Sequence, residues 1–311
     1  MNGKLSIYDI VIVGAGPAGL TAAIYCRRAG KSVLLLEKET FGGQITHSPK
    51  VENYPGFPAI SGGELADKLM DQAILLGAEL DVDTVIDVGD QGEWKIVVTE
   101  RTQYLAKAVI IASGSKHRTL GLPNEEELTG NGVSYCVLCD GAFYAGREVA
   151  VIGGGNSALQ DAVLLSDTCS KVTVIQNLGF LTGEKKLVEI LESRENVSFI
   201  YNTVVEGLIA NDDGELATLQ LKNTETDDTS YLDVDGIFVA IGQKPENKPF
   251  ARVCKLNDYG YVEAGENCLT GTDGIYVAGD CRSKTVRQIT TATGDGAVAA
   301  LAACKYIEME R

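Results

Sequence analysis

Short apolar runs alternate with helical patterns from the beginning of the chain. Residues 8–13 form an apolar run of strand length, and residues 18–29 have the composition and periodicity of a helix. Residues 31–36 are a second apolar run, which ends at Glu37. The order strand, helix, strand within roughly 30 residues predicts a β-α-β unit, the smallest dinucleotide-binding fold.

The same order returns in the second half of the chain. Residues 148–152 have a strand pattern, residues 156–165 a helix pattern and residues 172–175 another strand pattern. They predict a second β-α-β unit, too far from the first for a short-period solenoid. A hairpin is also predicted over residues 82–98, and a long helix of small residues over 291–306. Further strands are predicted over 108–112, 197–201, 216–222 and 236–241.

Length and composition agree with two globular units. A chain of 311 residues is enough for about two domains, and 45% hydrophobic residues suffice for buried cores. Segments 116–122 and 243–249 hold Pro or Gly together with charge and are candidate hinges. The pattern therefore predicts an α/β protein with two Rossmann-like nucleotide-binding domains of the three-layer (ββα) type.

The charge and the first residues bear on partners and location. A net charge of −16 disfavours nucleic acid and anionic membranes as partners. No apolar run approaches the ~18 residues of a membrane span. Asp9, Gly14 and Gly16 break the first apolar stretch, which is atypical of a signal peptide. We expect a cytoplasmic protein.

A glycine motif directly follows the first predicted strand. Gly14, Gly16 and Gly19 form Gly-x-Gly-x-x-Gly, which allows a tight turn, a close approach to a pyrophosphate and close packing of helix on strand. Glu37 ends the next strand, where a carboxylate accepts hydrogen bonds from ribose hydroxyls. The motif predicts a bound dinucleotide rather than a merely structural turn, without separating FAD from NAD. Asp280, after Gly279, is a candidate for the same cofactor or a turn cap.

Cys136 and Cys139 are the only closely spaced pair among eight cysteines. Such a pair is a redox dithiol, half of a zinc site or a structural pair. The only histidines are His47 and His117, and no second close pair exists, so the redox interpretation is favoured. The other six are expected to be small buried hydrophobes: Cys26, Cys169, Cys254, Cys268, Cys281 and Cys304.

Taken together, these motifs give the chain a close resemblance to the low-molecular-weight thioredoxin reductases over nearly its whole length. The matching segments are 14–19, 42–44, 51–57, 136–140, 153–158, 279–280 and 287–288. The resemblance implies a discontinuous FAD-binding domain (1–116 and 246–311) around a central domain (117–245) that carries the cysteine pair. It also implies a homodimer that reduces thioredoxin or a thioredoxin-like protein.

Site residues follow from the same resemblance. Cys139 is expected to face the flavin and Cys136 to exchange with the substrate, while Asp140 protonates the leaving thiolate or caps a helix. The expected FAD-binding residues are Gly14, Gly16, Pro17, Ala18, Gly19, Glu37, Gly43, Gln44, Asn53, Gly114, Gly279, Asp280, Arg287 and Gln288.

One segment departs from the family pattern. The second glycine loop, 153–158, suits a nicotinamide nucleotide, but the NADPH-dependent members follow it with a strand that ends in arginines for the 2′-phosphate. Here the strand is followed by Gln176, Asn177 and Leu178. The chain therefore resembles the ferredoxin-dependent flavin thioredoxin reductases, although an acidic chain needs a local basic patch to dock an acidic ferredoxin.

Other interpretations stay open at this point. Lys185 or Lys186 would replace the arginines in an NADPH-dependent enzyme, whereas Lys171 is the remaining nearby cation. The central loop would hold a second flavin nucleotide in a diflavin-linked relative. The chain would return electrons to oxygen as a dithiol oxidase, or act without turnover as a flavin-binding redox sensor.

Overall fold

The computed structural model describes residues 6–48 and 50–309, which form two compact units. One unit is made of two chain segments, the first ending at Lys116 and the second beginning at Lys244; we name it the split unit. The other comprises residues 117–243 and is the inserted unit. The second boundary falls slightly ahead of the predicted one at 245/246.

Strands and α-helices are numbered in chain order. The strands are β1 (Ser6–Val13), β2 (Val33–Glu37), β3 (Glu79–Val82), β4 (Val85–Gln91), β5 (Trp94–Thr99), β6 (Gln103–Ile111), β7 (Ser115–His117), β8 (Val133–Ser134), β9 (Glu148–Ile152), β10 (Lys171–Ile175), β11 (Val197–Ile200), β12 (Thr203–Ala210), β13 (Leu216–Asn223), β14 (Thr229–Asp233), β15 (Gly236–Val239), β16 (Gln243–Pro245) and β17 (Ile275–Val277). The α-helices are α1 (Pro17–Arg28), α2 (Gly62–Leu75), α3 (Glu125–Leu128), α4 (Val137–Asp140), α5 (Asn156–Ser166), α6 (Lys185–Glu192) and α7 (Ile289–Met309).

The split unit is built on a sheet of strand order β3-β2-β1-β6-β5-β4, in which β17 also pairs with β6. Strands β1, β2, β3, β6 and β17 are parallel, and β4 and β5 form the predicted hairpin beside β6. Successive residues of β1 face opposite sides of the sheet. Ile10 and Ile12 pack with α1 and α7, whereas Val11 packs on the other side with Phe250 and Val253.

The inserted unit repeats this arrangement on a smaller scale. Its parallel sheet has the order β11-β10-β9-β15-β8, and β12, β13 and β14 form a separate antiparallel sheet. Val149 and Val151 pack against α5 on one face, while Ala150 and Ile152 pack against the antiparallel sheet on the other. Helix, sheet and sheet are therefore stacked in three layers, as predicted.

The structure confirms the predicted α/β class and both β-α-β units. It adds α2 and α6, for which no helix was predicted. The hydroxyl of Ser61 accepts a hydrogen bond (3.1 Å) from the backbone N–H of Glu64 at the beginning of α2, a capping pattern visible in the sequence. Across residues 6–48 and 50–309, no helix is long and apolar enough to span a membrane.

Candidate functional site

The first glycine loop leaves no room for side chains. Gly14 has φ +105°, and a Cβ there would lie 2.3 Å from the carbonyl oxygen of Ala112, the residue that follows β6. A Cβ on Gly19 would lie 1.9 Å from the carbonyl oxygen of Gly14. The loop therefore turns directly from β1 into α1, which begins at Pro17 and aims its free N–H groups at the turn.

A second glycine segment lies against the first. The backbone N–H of Gly42 donates to the carbonyl of Ala15 (2.8 Å), and a Cβ on Gly43 would lie 3.2 Å from the Cα of Gly16. Gln44 follows in an exposed position of the 3-10 helix Gly43–His47. The structure thus brings Gly16 and Gly43, both expected to bind the cofactor, side by side.

Glu37 lies at the end of β2 and anchors the glycine loop. One carboxylate oxygen accepts from the backbone N–H of Ala15 (2.8 Å), and the other accepts from the backbone N–H groups of Lys38 (2.9 Å) and Glu39 (3.0 Å). A carboxylate has about four lone-pair positions, so capacity for a ribose hydroxyl remains. The side chain is placed where the sequence motif predicts a ribose acceptor.

A third segment, which contains Gly279 and Asp280, reaches the beginning of α1. A Cβ on Gly279, which has φ +78°, would lie 2.9 Å from the Cβ of Ala18. One carboxylate oxygen of Asp280 is buried and finds no hydrogen-bond partner among the described residues, and burial raises the pKa of this carboxyl. No side-chain hydrogen bond caps the 3-10 helix Gly279–Cys281, in which Asp280 lies.

The remaining residues expected to bind FAD also belong to the split unit. The side-chain amide of Asn53 donates to that of Gln288 (3.1 Å), and the guanidinium of Arg287 lies 4.3 Å from the centre of the Tyr261 ring. Gly114 has φ +68° with open space around its Cβ position. A side-chain-free cradle, a helix N-terminus and an orphaned buried carboxylate oxygen are the features that a dinucleotide requires, so the residues present fit FAD.

The inserted unit holds the cysteine pair. Cys136 and Cys139 form a disulfide with Cα atoms 5.3 Å apart, and both residues are half-buried. Cys136 immediately precedes the single helical turn of α4. Leu138 (59% exposed) and Phe143 (38% exposed) lie in the sequence beside the pair and supply apolar surface. The six other cysteines are buried free thiols, as predicted.

Asp140 carries a carboxyl that is poised to hold a proton. One oxygen accepts a hydrogen bond from the hydroxyl of Ser134 (2.6 Å), and the other is buried without a partner among the described residues. Burial raises the pKa of Asp140, against the opposing effect of the Ser134 hydrogen bond. The Asp140 side chain caps neither α4 nor the following 3-10 helix, so the capping role is wrong.

Ser134 was not identified from the sequence. Its hydroxyl donates to Asp140 and accepts from the backbone N–H of Cys136 (3.1 Å), and the residue is only 3% exposed. It therefore ties the carboxyl of Asp140 to the backbone of the cysteine pair. A serine two positions before a cysteine carries no sequence signal of this role, which arises from the turn between β8 and α4.

The second glycine loop has uncharged and acidic side chains among its neighbours. A Cβ on Gly154 would lie 2.5 Å from the side-chain amide nitrogen of Gln176, which follows β10. The carbonyl of Gly154 accepts from the backbone N–H groups of Thr182 (2.8 Å) and Gly183 (3.0 Å). Asn156, at the beginning of α5, donates to the carboxylate of Glu184 (3.2 Å). A carboxylate beside this loop repels phosphate.

Of the lysines considered in place of the arginines, Lys171 lies elsewhere, and Lys185 and Lys186 are the first two residues of α6. Lys171 is the first residue of β10, at the opposite end from Gln176, and its ammonium pairs with Glu148 (3.5 Å). Lys185 begins α6 and lies 3.7 Å from Glu189. Gln176, Asn177 and Leu178 therefore place no cation at the end of β10 itself, where a 2′-phosphate would need one.

Comparison with known proteins places these features in context. Residues 8–296 match the family described as pyridine nucleotide-disulphide oxidoreductase. The chain is 42% identical over 302 residues to a thioredoxin reductase from Bacillus subtilis (strain 168), which covers 97% of this chain and 95% of that protein. It is 42% identical over 300 residues to a Clostridium pasteurianum protein named "34.2 kDa protein in rubredoxin operon", with 96% and 97% covered. The crystal structure of thioredoxin reductase from Streptococcus pyogenes MGAS5005 matches with a TM-score of 0.94 and 37% identity, covering 98% of this chain and 100% of that chain.

The buried carboxyl of Asp140 can be tested by substitution. Asp140→Asn should slow disulfide exchange by roughly 10²-fold, because the amide has no acidic proton to transfer. The raised pKa means that Asp140 contributes stability at low pH, which is lost as the pH rises through the folded-state pKa. The variant should therefore melt at a higher temperature than the parent at neutral pH, and this advantage should vanish near pH 3.

Single-turnover reduction of a small aromatic disulfide by the pre-reduced dithiol, measured across pH, checks the rate. Ser134→Ala is the companion variant: loss of its hydrogen bond should move the pH profile of exchange to higher pH, since that bond favours the carboxylate. An unchanged rate in Asp140→Asn would remove Asp140 from the chemistry.

Proposed function

Because the chain belongs to the pyridine nucleotide-disulphide oxidoreductase family, we propose that it reduces thioredoxin or a thioredoxin-like protein through Cys136 and Cys139. It is an oxidoreductase that acts on a sulfur group, and its cofactor is FAD. The observation that carries the proposal is the disulfide beside a buried carboxyl that favours its protonated form. We assign FAD to the split unit, whose glycine segments and Asp280 fit it.

The chemistry of the cysteine pair follows from its surroundings. A flavin held by the split unit and reduced by the electron donor would supply two electrons, and with two protons the Cys136–Cys139 disulfide would become a dithiol. Cys136 then attacks the partner disulfide, a mixed disulfide forms, and one partner thiolate leaves. Cys139 attacks the sulfur of Cys136, which restores the Cys136–Cys139 bond and releases the second partner thiolate. Asp140 donates a proton to the leaving thiolate, and Ser134 keeps the carboxyl in place.

The substrate is inferred from the relatives and from the local surface. The relatives from Bacillus subtilis and Streptococcus pyogenes are both named thioredoxin reductase. The exposed side chains of Leu138 and Phe143 provide the apolar contact that a protein partner requires around a half-buried disulfide. We also propose a homodimer and a cytoplasmic location, where six free thiols stay reduced.

For the electron donor, we propose a ferredoxin rather than NADPH. The end of β10 carries neutral side chains, and Glu184 places a carboxylate beside the second glycine loop. Each missing charge-assisted contact to phosphate costs about 1.5–3 kcal/mol, and about 1.4 kcal/mol corresponds to a factor of ten in affinity. The Clostridium pasteurianum relative is named for its place in a rubredoxin operon.

An acidic donor needs a local basic surface, and residues 244–255 of the split unit provide one. Phe250, Val253 and Cys254 are buried, so this short segment presents its other side to solvent. That side carries four exposed cations in a chain of net charge −16: Lys244, Lys248, Arg252 and Lys255. The exposed carboxylate of the same segment, Glu246, pairs with Lys38. Arg252 pairs with Asp87 and Lys255 with Glu263, which leaves Lys244 and Lys248 outside those pairs. We propose this segment as the docking surface for ferredoxin.

The exchange roles of the two thiols can be separated by trapping. Cys139→Ser should accumulate a stable mixed disulfide between Cys136 and thioredoxin, because the resolving thiol is absent. Cys136→Ser should trap no such adduct. Non-reducing gel electrophoresis with mass analysis of the linked peptides checks this, with Cys169→Ser, a buried thiol outside the pair, as the control. The opposite trapping pattern would reverse the two roles.

The donor is tested by anaerobic stopped-flow reduction of the flavin with NADPH, NADH and reduced ferredoxin in parallel. We expect rapid reduction by ferredoxin and negligible reduction by micromolar NADPH. The double variant Gln176→Arg with Asn177→Arg should improve NADPH binding at least about tenfold, since it supplies cations for the 2′-phosphate. Asp212→Arg, in an exposed turn, adds the same charge away from the loop and should have no effect. Rapid reduction of the parent by NADPH would contradict ferredoxin as the donor.

The docking surface is tested by charge reversal. Lys248→Glu should slow flavin reduction by ferredoxin roughly threefold to tenfold at low salt, and the difference should shrink as ionic strength rises. Lys68→Glu on α2 is the matched control, because it reverses the same charge on another exposed position. Equal effects of the two variants would show that only the net charge matters.

A further inference from the structure

Helices α1 and α7 of the split unit pack closely and in parallel. Near the beginning of both helices, a Cβ on Gly296 would lie 2.2 Å from the carbonyl oxygen of Ala18. Beyond the end of α1, the ammonium of Lys31 donates to the carboxylate of Glu308 (3.0 Å). The contacts follow the same order along both helices, so the two helices run side by side over most of the length of α1.

Cys26 and Cys304 lie in this helix–helix interface, and their side chains are hydrogen-bonded to each other. Each lies eight residues beyond the contact between Ala18 and Gly296. Cys26 is fully buried and Cys304 is 6% exposed, and both belong to the same hydrophobic core. The missing side chain at Gly296 lets the helix backbones approach, which brings the two thiols together between α1 and α7.

The thiols of this pair differ from the other free thiols. The hydrogen bond from Cys26, together with the ammonium of Lys31, lowers the pKa of Cys304. The same contact and burial raise the pKa of Cys26. Burial raises the pKa of Cys169, Cys254, Cys268 and Cys281. Among the six free cysteines, Cys304 alone is shifted toward the reactive thiolate.

We propose that Cys26 and Cys304 are a second redox-active dithiol, separate from the Cys136–Cys139 pair, which closes to a disulfide when hydrogen peroxide oxidises it. The site rests on the parallel packing of α1 and α7 and does not depend on the identity of the electron donor. Its oxidant must be small, because Cys304 exposes only a small fraction of its surface and Cys26 none.

Oxidation of the pair proceeds in two balanced steps. The Cys304 thiolate attacks one oxygen of hydrogen peroxide, the O–O bond breaks, and a sulfenic acid forms on Cys304 while the departing hydroxide takes up the thiol proton as water. The sulfur of Cys26 then attacks the sulfenic sulfur. The S–S bond forms, the S–O bond breaks, and the hydroxyl leaves with the Cys26 proton as a second water. Two electrons pass from the two thiols to the peroxide.

Such a bond would join the two chain segments that build the split unit. Cys26 belongs to the segment that ends at Lys116, and Cys304 to the segment that begins at Lys244. The closed loop contains nearly the whole chain, so the disulfide restricts the unfolded state strongly. Oxidation should therefore stabilise the split unit against unfolding.

The test uses the full-length, flavin-loaded protein with Cys136→Ser and Cys139→Ser, which removes the other disulfide. Hydrogen peroxide should consume two of the six remaining thiols and give a cross-linked peptide that contains Cys26 and Cys304. Dithiothreitol should reverse the link, and a bulky aromatic disulfide reagent should not form it. The oxidised protein should melt about 3 °C or more above the reduced protein.

Matched variants separate this pair from the other buried thiols. Cys26→Ala and Cys304→Ala should each abolish the loss of two thiols. Cys254→Ala and Cys281→Ala should not, although these two cysteines also lie near each other in the second core of the split unit. Peptide mapping of the protein with Cys136→Ser and Cys139→Ser keeps Cys26 and Cys304 unchanged. This measurement therefore does not depend on whether the variants of Cys26 or Cys304 fold. A peptide linking Cys254 to Cys281, or Cys304 oxidised to a sulfinic acid while Cys26 stays a thiol, would overturn the proposal.

Discussion

The split unit depends on the contact of backbone with backbone at the first glycine loop. Carbonyl oxygens lie where the Cβ atoms of Gly14 and Gly19 would be, so strand β1, helix α1 and strand β6 meet with nothing between them. The same approach lets Gly43 and Gly279 reach the loop from distant parts of the chain. Any side chain at Gly14 or Gly19 would push these segments apart, and the cradle and the beginning of α1 would be displaced together.

Both units bury a carboxyl that their own residues leave incompletely paired. Asp280 and Asp140 each have one oxygen that is buried without a partner among the described residues, and burial raises the pKa of both. An unpaired buried polar atom lowers the free energy of unfolding, so its presence in a folded protein indicates a functional role. In the split unit the proposed role is to meet the cofactor, and in the inserted unit the proposed role is to hold and release a proton.

The sequence predicted both β-α-β units because their apolar runs and helical periods are strong, local signals. Helix α6 was missed because of its short length and charged composition, and α2 although Ser61 and Glu64 mark its beginning. The glycine motifs predicted the cradle, but the pairing of Asn53 with Gln288 joins positions far apart in the chain. Ser134 and the contact between Cys26 and Cys304 were not found for the same reason, since no local pattern encodes a tertiary neighbour.

The insertion of one unit into the other affects the order in which the protein is built on the ribosome. The last three residues of β6 pair with β17, a strand translated only after the whole inserted unit. At about 5–20 residues per second, the inserted unit keeps the ribosome occupied for roughly ten seconds. During this interval the inserted unit can fold, while that edge of β6 exposes the buried residues Val109, Ile110 and Ile111 and their unpaired backbone groups. Nascent chains should therefore be most prone to aggregate, and most in need of a chaperone, between the synthesis of β6 and that of β17.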